Sequence, residues 1–361
     1  MKKRIGILTG GGDCPGLNTV IRALSKCAIK SNYEVLAFKD GFKGLVENDF
    51  IILDNAMVSG IINQGGTILG TSNVANPYKW PYSKGNKIKF KDLSKKAIAN
   101  YKKHKLSGLV VIGGDGSMTI ANKLYMDGVP IIGVPKTIDN DLAFTDVTFG
   151  FETAVVTATE AIDKIHTTAQ SHHRAMVIEV MGRYAGWIAL YSGVASGGDV
   201  ILIPEIPYHM KYVYKKINER KQKGKNFTII VVAEGAKAYG GKLTVSKLDK
   251  RSTDPIRLGG IGIKIANEIE KNIGIESRAT VLGHVQRGGS PTPFDRILAT
   301  RFGTEAVKLL TNKQFGQMVI CKNNNISSVP LEEIAKSLKL VPKDHPLITS
   351  ARLVGTSFGD K

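Results

Sequence analysis

Residues 108–141 read GLVVIGGDGSMTIANKLYMDGVPIIGVPKTIDND, and this stretch decides the fold. Leu109 to Ile112 is a short apolar, β-branched run, the pattern of a strand buried on both faces. Gly113, Gly114, Asp115, Gly116 and Ser117 follow at once, and a helical pattern begins near Met118. A turn without side chains lets a phosphate reach the backbone, and the first N–H groups of the next helix point at that anion. A second strand, residues 129–134, ends at Pro135, with Lys136, Thr137, Asp139, Asn140 and Asp141 beyond it. In a parallel sheet both loops lie at the carboxyl edge, where ligands bind. The stretch therefore reads as a phosphoryl-transfer site. One loop takes donor phosphates and metal, and the other takes the acceptor hydroxyl and a base.

The same strand–glycine turn–helix order opens the chain. Residues 4–8 are the strand, TGGGDCPGLN (9–18) the turn, and 19–30 the helix. This turn is neither GxxxxGK[ST] nor GxGxxG, so by itself it stands equally as an anion loop or a tight turn. Residues 62–73 form a third glycine and hydroxyl cluster, and 76–89 read as a surface loop. After Asp141 come strands at 177–180, 200–203, 227–233 and 278–282, separated by helical patterns. Residues 237–257 read as a polar connection, and the tail from Met318 as short strands with one amphipathic helix at 331–340. The alternation predicts an α/β fold with doubly wound, mainly parallel sheets. A length of 361 residues predicts two domains.

Composition narrows the function classes. The chain is 42% hydrophobic and 22% charged, as expected of a soluble globular protein, and no apolar run reaches 18 residues, so no membrane span is expected. The N-terminus lacks a cleavage pattern, which leaves the cytoplasm as the expected location. Formal net charge is +19. The lysines are scattered and seldom interleaved with aromatics, which favours a solvated surface and anionic small substrates over nucleic acid. Cys14, Cys27 and Cys321 form no CxxC pair and are odd in number, so neither disulfide nor zinc site is expected. Cys14 stands near a helix N-terminus, which can lower a thiol pKa, or it simply fills a loop.

Several predicted strands end in acidic or anion-binding residues: Asp115, Asp139, Arg183, Glu234, and His284 with Arg287. A doubly wound sheet gathers such ends into one crevice. Phosphoryl transfer needs positioning, charge neutralisation and a group to take the acceptor's proton. Asp115 suits Mg²⁺, which takes hard oxygen ligands and keeps waters. Asp139 suits the base, with Asp141 a back-up or a group standing behind the metal's own ligands. Arg174, Arg183, Arg278 and Arg287 offer more guanidinium forks than one phosphate requires, so the acceptor is expected to carry a phosphate of its own.

Together, TGGGDCPGLN, GGTILGTS, GGDGS, PKTIDND, SHHR, EVMGRYAGW, AEG and ESRATVLGHVQRGGSPTPFDR resemble the bacterial-type 6-phosphofructokinases, nearest to the subgroup that uses either ATP or pyrophosphate. GGDG alone is unspecific, whereas TIDND, MGR and HVQRGGSP in this order are highly specific. The resemblance implies two Rossmann-like three-layer domains with the active site in the cleft between them. Residues 1–143 plus 259–312 would bind the donor, and 144–258 plus 313–361 fructose 6-phosphate. It implies that Gly11, Gly114, Asp115, Gly116 and Ser117 hold the donor, with Asp115 on Mg²⁺. Thr137, Ile138 and Asp139 would meet the sugar, with Asp139 taking the proton of its 1-hydroxyl. Met181, Gly182, Arg183, Glu234, His284 and Arg287 would contact fructose 6-phosphate. Arg174 and Arg278 would reach the site of a neighbouring subunit, which implies a homo-oligomer.

The chain departs from the allosteric ATP-using relatives at Asn73 and Asn55, where they carry arginine, and at Asp199, where they carry glutamate. The donor turns on two positions. Typical pyrophosphate users have Asp where Gly116 stands, filling the space of the ATP α-phosphate. Typical ATP users have Gly where Lys136 stands, and a lysine there can balance a pyrophosphate leaving group. Gly116 admits ATP and Lys136 does not exclude it, so ATP is the expected donor, with pyrophosphate the alternative. Retention of both Asp115 and Asp139 argues for an enzyme over a sugar-phosphate sensor on the same fold.

Overall fold

Apolar strands buried on both faces organise the molecule, seen here in a computed structural model that describes residues 2–85, 87–249, 251, 255–334 and 337–361. The first half runs β1 (Lys3–Thr9), α1 (Leu17–Lys30), β2 (Tyr33–Phe38), α2 (Phe42–Glu47), β3 (Phe50–Leu53), β4 (Trp80–Lys84), β5 (Lys87–Lys91), α3 (Ser94–Lys103), β6 (Leu106–Gly113), α4 (Asp115–Met126), β7 (Ile131–Pro135) and α5 (Phe151–His172). The second runs β8 (Ala175–Val180), α6 (Trp187–Ala195), β9 (Val200–Leu202), α7 (Met210–Gln222), β10 (Thr228–Ala233), β11 (Val245–Leu248), β12 (Ile256–Leu258), α8 (Ile261–Ile273), β13 (Ser277–Val281), a 3₁₀ turn (Gly283–Arg287), α9 (Pro293–Thr311), β14 (Gln317–Lys322), β15 (Asn325–Pro330), α10 (Leu331–Ile334) and α11 (Pro346–Leu353).

A seven-stranded sheet has the order β15-β14-β7-β6-β1-β2-β3, parallel except at the two edge strands β3 and β15. A four-stranded, all-parallel sheet has the order β13-β8-β10-β9. Ile5, Ile7, Val110 and Ile112 point from the large sheet into a core that also takes Met176, Ile178 and Val180 from the small one. Helices α1, α9, α5 and α6 lie in that shared core. The opposite face of the large sheet, with Leu8, Leu109 and Val111, packs on α2, α3 and α4. The opposite face of the small sheet, with Val177 and Ile230, packs on α7 and α8. Each sheet is thus covered by helices on both faces, as its apolar strands require.

Strand pairing crosses the sequence boundaries expected above. β13 lies within 259–312 yet pairs with β8 in the small sheet, and β14 and β15 lie within 313–361 yet extend the large one. The last residues return to the small sheet, where Ser357 bridges Val200. The expected loop at 76–89 holds most of a β4–β5 hairpin, whose Trp80 packs against the core while Phe90 stays exposed. The polar connection at 237–257 holds β11 and the start of β12, while Lys250 and residues 252–254 fall outside the described residues. The helix expected over 331–340 is α10, Leu331–Ile334; Ala335 and Lys336 are outside the described residues.

One buried carboxylate in this frame has a structural task. Glu179 sits in β8 at 2% exposure, and its oxygens accept the N–H groups of Gly260 and Gly262 at the start of α8 (3.0 and 2.8 Å). Glu179→Ala leaves those helix-end donors unsatisfied inside the protein. Its expected cost is about 2–3 kcal/mol, read as a lowered urea midpoint at unchanged slope.

Candidate active site

The carboxyl ends of both sheets open on one cleft. In the large sheet the chain order reverses between β1 and β6, the switch point at which α/β sheets place ligands. The turn after β1 carries Gly10 to Gly16, and the turn after β6 is Gly113–Gly114. α4 begins at Asp115, three residues earlier than the sequence pattern suggested. Its first intrahelical bond is Met118 N–H to the Gly114 carbonyl, 3.0 Å. The N–H groups of Asp115, Gly116 and Ser117 therefore have no intrahelical acceptor, the condition for anion binding.

Ser117 locks the two turns together. Its side chain is 7% exposed, and a Cβ on Gly10 or Gly113 would come within 2.6 or 2.3 Å of it. The third glycine cluster joins them, since Thr71 donates to the carbonyls of Gly11 (2.6 Å) and Thr9 (3.0 Å). Gly11 adopts φ +78° above Lys136. Gly116 is exposed, and a Cβ there would meet nothing within 4 Å, so the cleft is open beside the helix start.

β7 delivers the second loop. Lys136 is 3% exposed, its N–H donates to the Gly113 carbonyl, and its ammonium donates to the Gly12 carbonyl under the first glycine turn. Burial pushes its pKa below the usual amine range. Ile138 has its side chain in the core at 1% exposure, leaving only its backbone to face a ligand. The Thr137 hydroxyl accepts the Asp139 N–H at 3.1 Å, and its carbonyl accepts the Thr148 hydroxyl at 2.7 Å. Asn140, at φ +51°, turns the chain so that Asp139 and Asp141 flank it.

Oδ1 of Asp139 and Oδ1 of Asp141 are shielded from solvent and have no hydrogen-bond partner. Burial, then the neighbouring Asp141 charge, pushes the Asp139 pKa up to about 7. Asp141 is raised by burial, against the Thr137 hydroxyl and the lysines nearby. Asp115 is raised by burial and by Asp141. Three carboxyls thus share one low-dielectric region, an arrangement that a cation would relieve. Among the described residues no three His, Cys, Asp or Glu side chains form a ready metal cage. Mg²⁺ does not need one, because it binds through one or two carboxylates plus waters and phosphate oxygens, which is what Asp115 and Asp141 offer.

The small sheet faces this loop with its own strand ends. Met181 follows β8, and its N–H donates to the buried Gln286 side chain at 3.3 Å. Gly182 adopts φ +136°, and a Cβ there would press on the Ala185 carbonyl at 2.9 Å. Glu234 follows β10, and its carboxyl is raised by burial and by Glu179, offset by Arg287 and Arg183. Arg183 donates to the Ile256 carbonyl (2.7 Å) and lies 5.0 Å from the Tyr184 ring. His284 is exposed on the 3₁₀ turn. Arg287 bridges the halves by donating to the Asp13 carbonyl at 3.0 Å.

Two predicted residues lie elsewhere. Arg174 precedes β8 and Arg278 sits near the start of β13, at the amino ends of strands whose carboxyl ends line the cleft. At about 3.3 Å per residue they stand on the order of 20 Å from Met181. Glu276, which the sequence reading passed over, accepts from both guanidinium groups (2.8 and 2.6 Å) and holds them side by side. Gln286, fully buried and accepting the Met181 N–H, was also missed, and nothing in its local sequence marks it as a buried tether. Cys14 fills its loop: burial pushes the thiol up to about 12, against any activation by the helix start. No helix among the described residues is long and apolar enough to cross a membrane.

Residues 4–310 match the phosphofructokinase family. The chain is 54% identical over 361 residues to "ATP-dependent 6-phosphofructokinase 2" of Clostridium perfringens, covering 99% of each. It is 49% identical to "ATP-dependent 6-phosphofructokinase 3" of Bacteroides thetaiotaomicron, over 99% of this chain and 100% of that one. Among solved structures, Pichia pastoris phosphofructokinase in the T-state superposes with a TM-score of 0.80 at 31% identity, over 93% of this chain and 38% of the other. The pyrophosphate-dependent phosphofructokinase of Marinobacter aquaeolei shares the fold, with a TM-score of 0.79 at 22% identity over 94% of this chain and 86% of that one.

Proposed function

The chain belongs to the phosphofructokinase family, and from that premise we propose how its cleft works. The enzyme transfers the terminal phosphoryl group of ATP to the 1-hydroxyl of fructose 6-phosphate. The observation that carries the assignment of its base is the shielded, unpartnered Oδ1 of Asp139, on the loop beside the α4 anion site. A buried carboxylate raised toward neutral pH is suited to accept the hydroxyl proton.

The N–H groups that open α4, with the Gly11 turn, hold the donor phosphates. Asp115, with Asp141 behind it, is the group to hold Mg²⁺, which when bound supplies charge neutralisation across the phosphates. Thr137 fixes the Asp139 backbone so that the carboxylate faces the sugar. As the hydroxyl proton passes to Asp139, the sugar oxygen bonds to the γ-phosphorus and the bond from that phosphorus to the bridging oxygen of ADP breaks. Lys136, anchored under the Gly12 carbonyl, supplies positive charge below the first glycine turn. Met181, Gly182, Arg183, Glu234, His284 and Arg287 grip the sugar phosphate from the small sheet.

A neighbouring subunit completes the phosphate grip with Arg174 and Arg278, whose shared carboxylate Glu276 keeps both forks oriented. Arg174→Ala is expected to raise KM for fructose 6-phosphate about 10- to 100-fold, the loss of one charge-assisted phosphate contact, with kcat changed far less. An unchanged KM would remove Arg174 from the substrate grip. The reaction itself is tested with purified protein, Mg²⁺, fructose 6-phosphate and either ATP or pyrophosphate. Turnover with pyrophosphate and none with ATP would overturn the donor.

A further inference from the structure

The family match ends at residue 310, yet the chain beyond it returns to the base loop. Leu338 bridges Leu142, and the Lys339 N–H donates to the Asp141 carbonyl at 2.8 Å. The Lys339 ammonium donates to the Asn140 side-chain oxygen (2.8 Å) and to the carbonyls of Thr145 (2.9 Å) and Asp146 (2.8 Å). Those three acceptors use all three protons of the ammonium. The same Asn140 oxygen accepts the Thr148 N–H at 3.2 Å. The residue that holds the left-handed bend between Asp139 and Asp141 is therefore pinned from two sides, and one of the pins is the tail.

The other end of this tail segment grips the small-sheet half. Trp187, at the start of α6, donates its indole N–H to the Lys339 carbonyl at 2.9 Å, and the ammonium lies 5.4 Å from its ring. Glu205 accepts from the N–H groups of both Val341 (2.9 Å) and Gly186 (3.0 Å). Gly186 closes the loop that begins with Met181, Gly182 and Arg183. A short piece of chain thus ties the base loop of one sheet to the sugar-phosphate loop of the other.

We propose that Lys339 is a positioning residue: it fixes Asn140 and thereby the aim of the Asp139 carboxylate, and through Trp187 and Glu205 keeps that aim in register with the sugar-phosphate loop. This rests on Asp139 being the base. The Lys339 ammonium spends all its protons on the protein, so its loss misdirects a bound sugar without releasing it. A misplacement near 1 Å costs on the order of 100-fold in rate.

The test is steady-state kinetics of Lys339→Met, which keeps an unbranched side chain as far as the ε position and takes away the ammonium with its charge and donors. The expected result is a fall in kcat of about 10- to 100-fold with KM for fructose 6-phosphate within about threefold. Lys339→Arg should recover part of the loss, and Lys339→Met combined with Asn140→Ala should be no slower than Asn140→Ala alone. A native kcat in folded Lys339→Met, or losses that multiply in the double variant, overturns the proposal. Should Lys339→Met fail to fold, Trp187→Phe carries the test, since it keeps an aromatic ring in the core and loses the N–H that holds Lys339 together with part of the indole surface. A smaller fall in kcat at constant KM supports the strap, and native kinetics overturns it. Asp139→Asn measured alongside separates the two readings. If it retains turnover, the base assignment falls and the route of Lys339 with it. If it is inactive while Lys339→Met is native, only the strap falls.

Discussion

Replacing Asp139 by Asn is expected to lower kcat by about three orders of magnitude, within the ~10²–10⁴-fold range of a lost general base, while fructose 6-phosphate still binds. The amide has the same shape and cannot take a proton. In the native enzyme the pH dependence of kcat/KM follows the same group. Asp139 must be ionised to act, and burial with the Asp141 charge sets its pKa near 7. kcat/KM should therefore fall about tenfold per pH unit as the pH drops below that value. The stability consequence has the opposite sense. A carboxyl whose folded pKa lies above its unfolded value favours folding only in its neutral form. That contribution is complete below the ordinary aspartate pKa, 3.8, and is lost as pH rises to about 7. Asp139→Asn should thus melt a few degrees higher than the native ligand-free protein at pH 8, the gap shrinking as pH falls toward 4. An inactive variant with no gain in melting temperature at pH 8 would mean that Asp139 is not strained by burial. An active variant would remove it as the base.

That strain explains which parts of the site could be read in the sequence. A carboxylate at the end of an apolar strand carries its chemistry in its local neighbours. TIDND after IIGVP was enough to place Asp139 and Asp141 at a sheet edge, and GGDGS after LVVI enough to place Asp115 at a helix start. The helix start itself was read three residues late, because Gly116 in a first turn looks like loop until the Gly114 carbonyl is seen accepting from Met118. Contacts made across long separations left less trace. Glu276 gathers two arginines, but nothing local distinguishes it from a surface glutamate. Lys339 lies in a polar tail and gains its meaning only from Asn140 and Trp187, each more than 150 residues away in sequence. Strand pairing across the expected boundaries was hidden for the same reason. β14 follows α9 across the large sheet because α9 packs on α1 and β7, which no local pattern reports.

Gly116→Asp should cut kcat/KM for ATP about 5- to 1000-fold and leave the fold intact. The position lies in the first turn of α4, where an acidic side chain is favoured by the unpaired N–H groups and the helix dipole, and Asp is also a better helix former than Gly. Its Cβ would stand in open space, so no neighbour must move. The melting temperature should accordingly stay level or rise slightly, which separates a donor effect from misfolding. The carboxylate would project where the cleft is open beside the helix start and oppose the charge of a nucleotide α-phosphate. Two unit charges about 4 Å apart repel by about 1 kcal/mol in water and about 4 kcal/mol in a partly desolvated site, which is the stated factor in rate. Pyrophosphate has no third phosphate to meet that carboxylate, and Lys136 stays in place under Gly12. Any turnover with pyrophosphate should therefore fall less than turnover with ATP, and the ratio of the two is the decisive reading. Equal losses with both donors would show that the added charge disturbs the transferred phosphoryl group itself. An unaltered KM for ATP would show that the donor does not pass over Gly116, and the selection of ATP would then have to come from another part of the cleft.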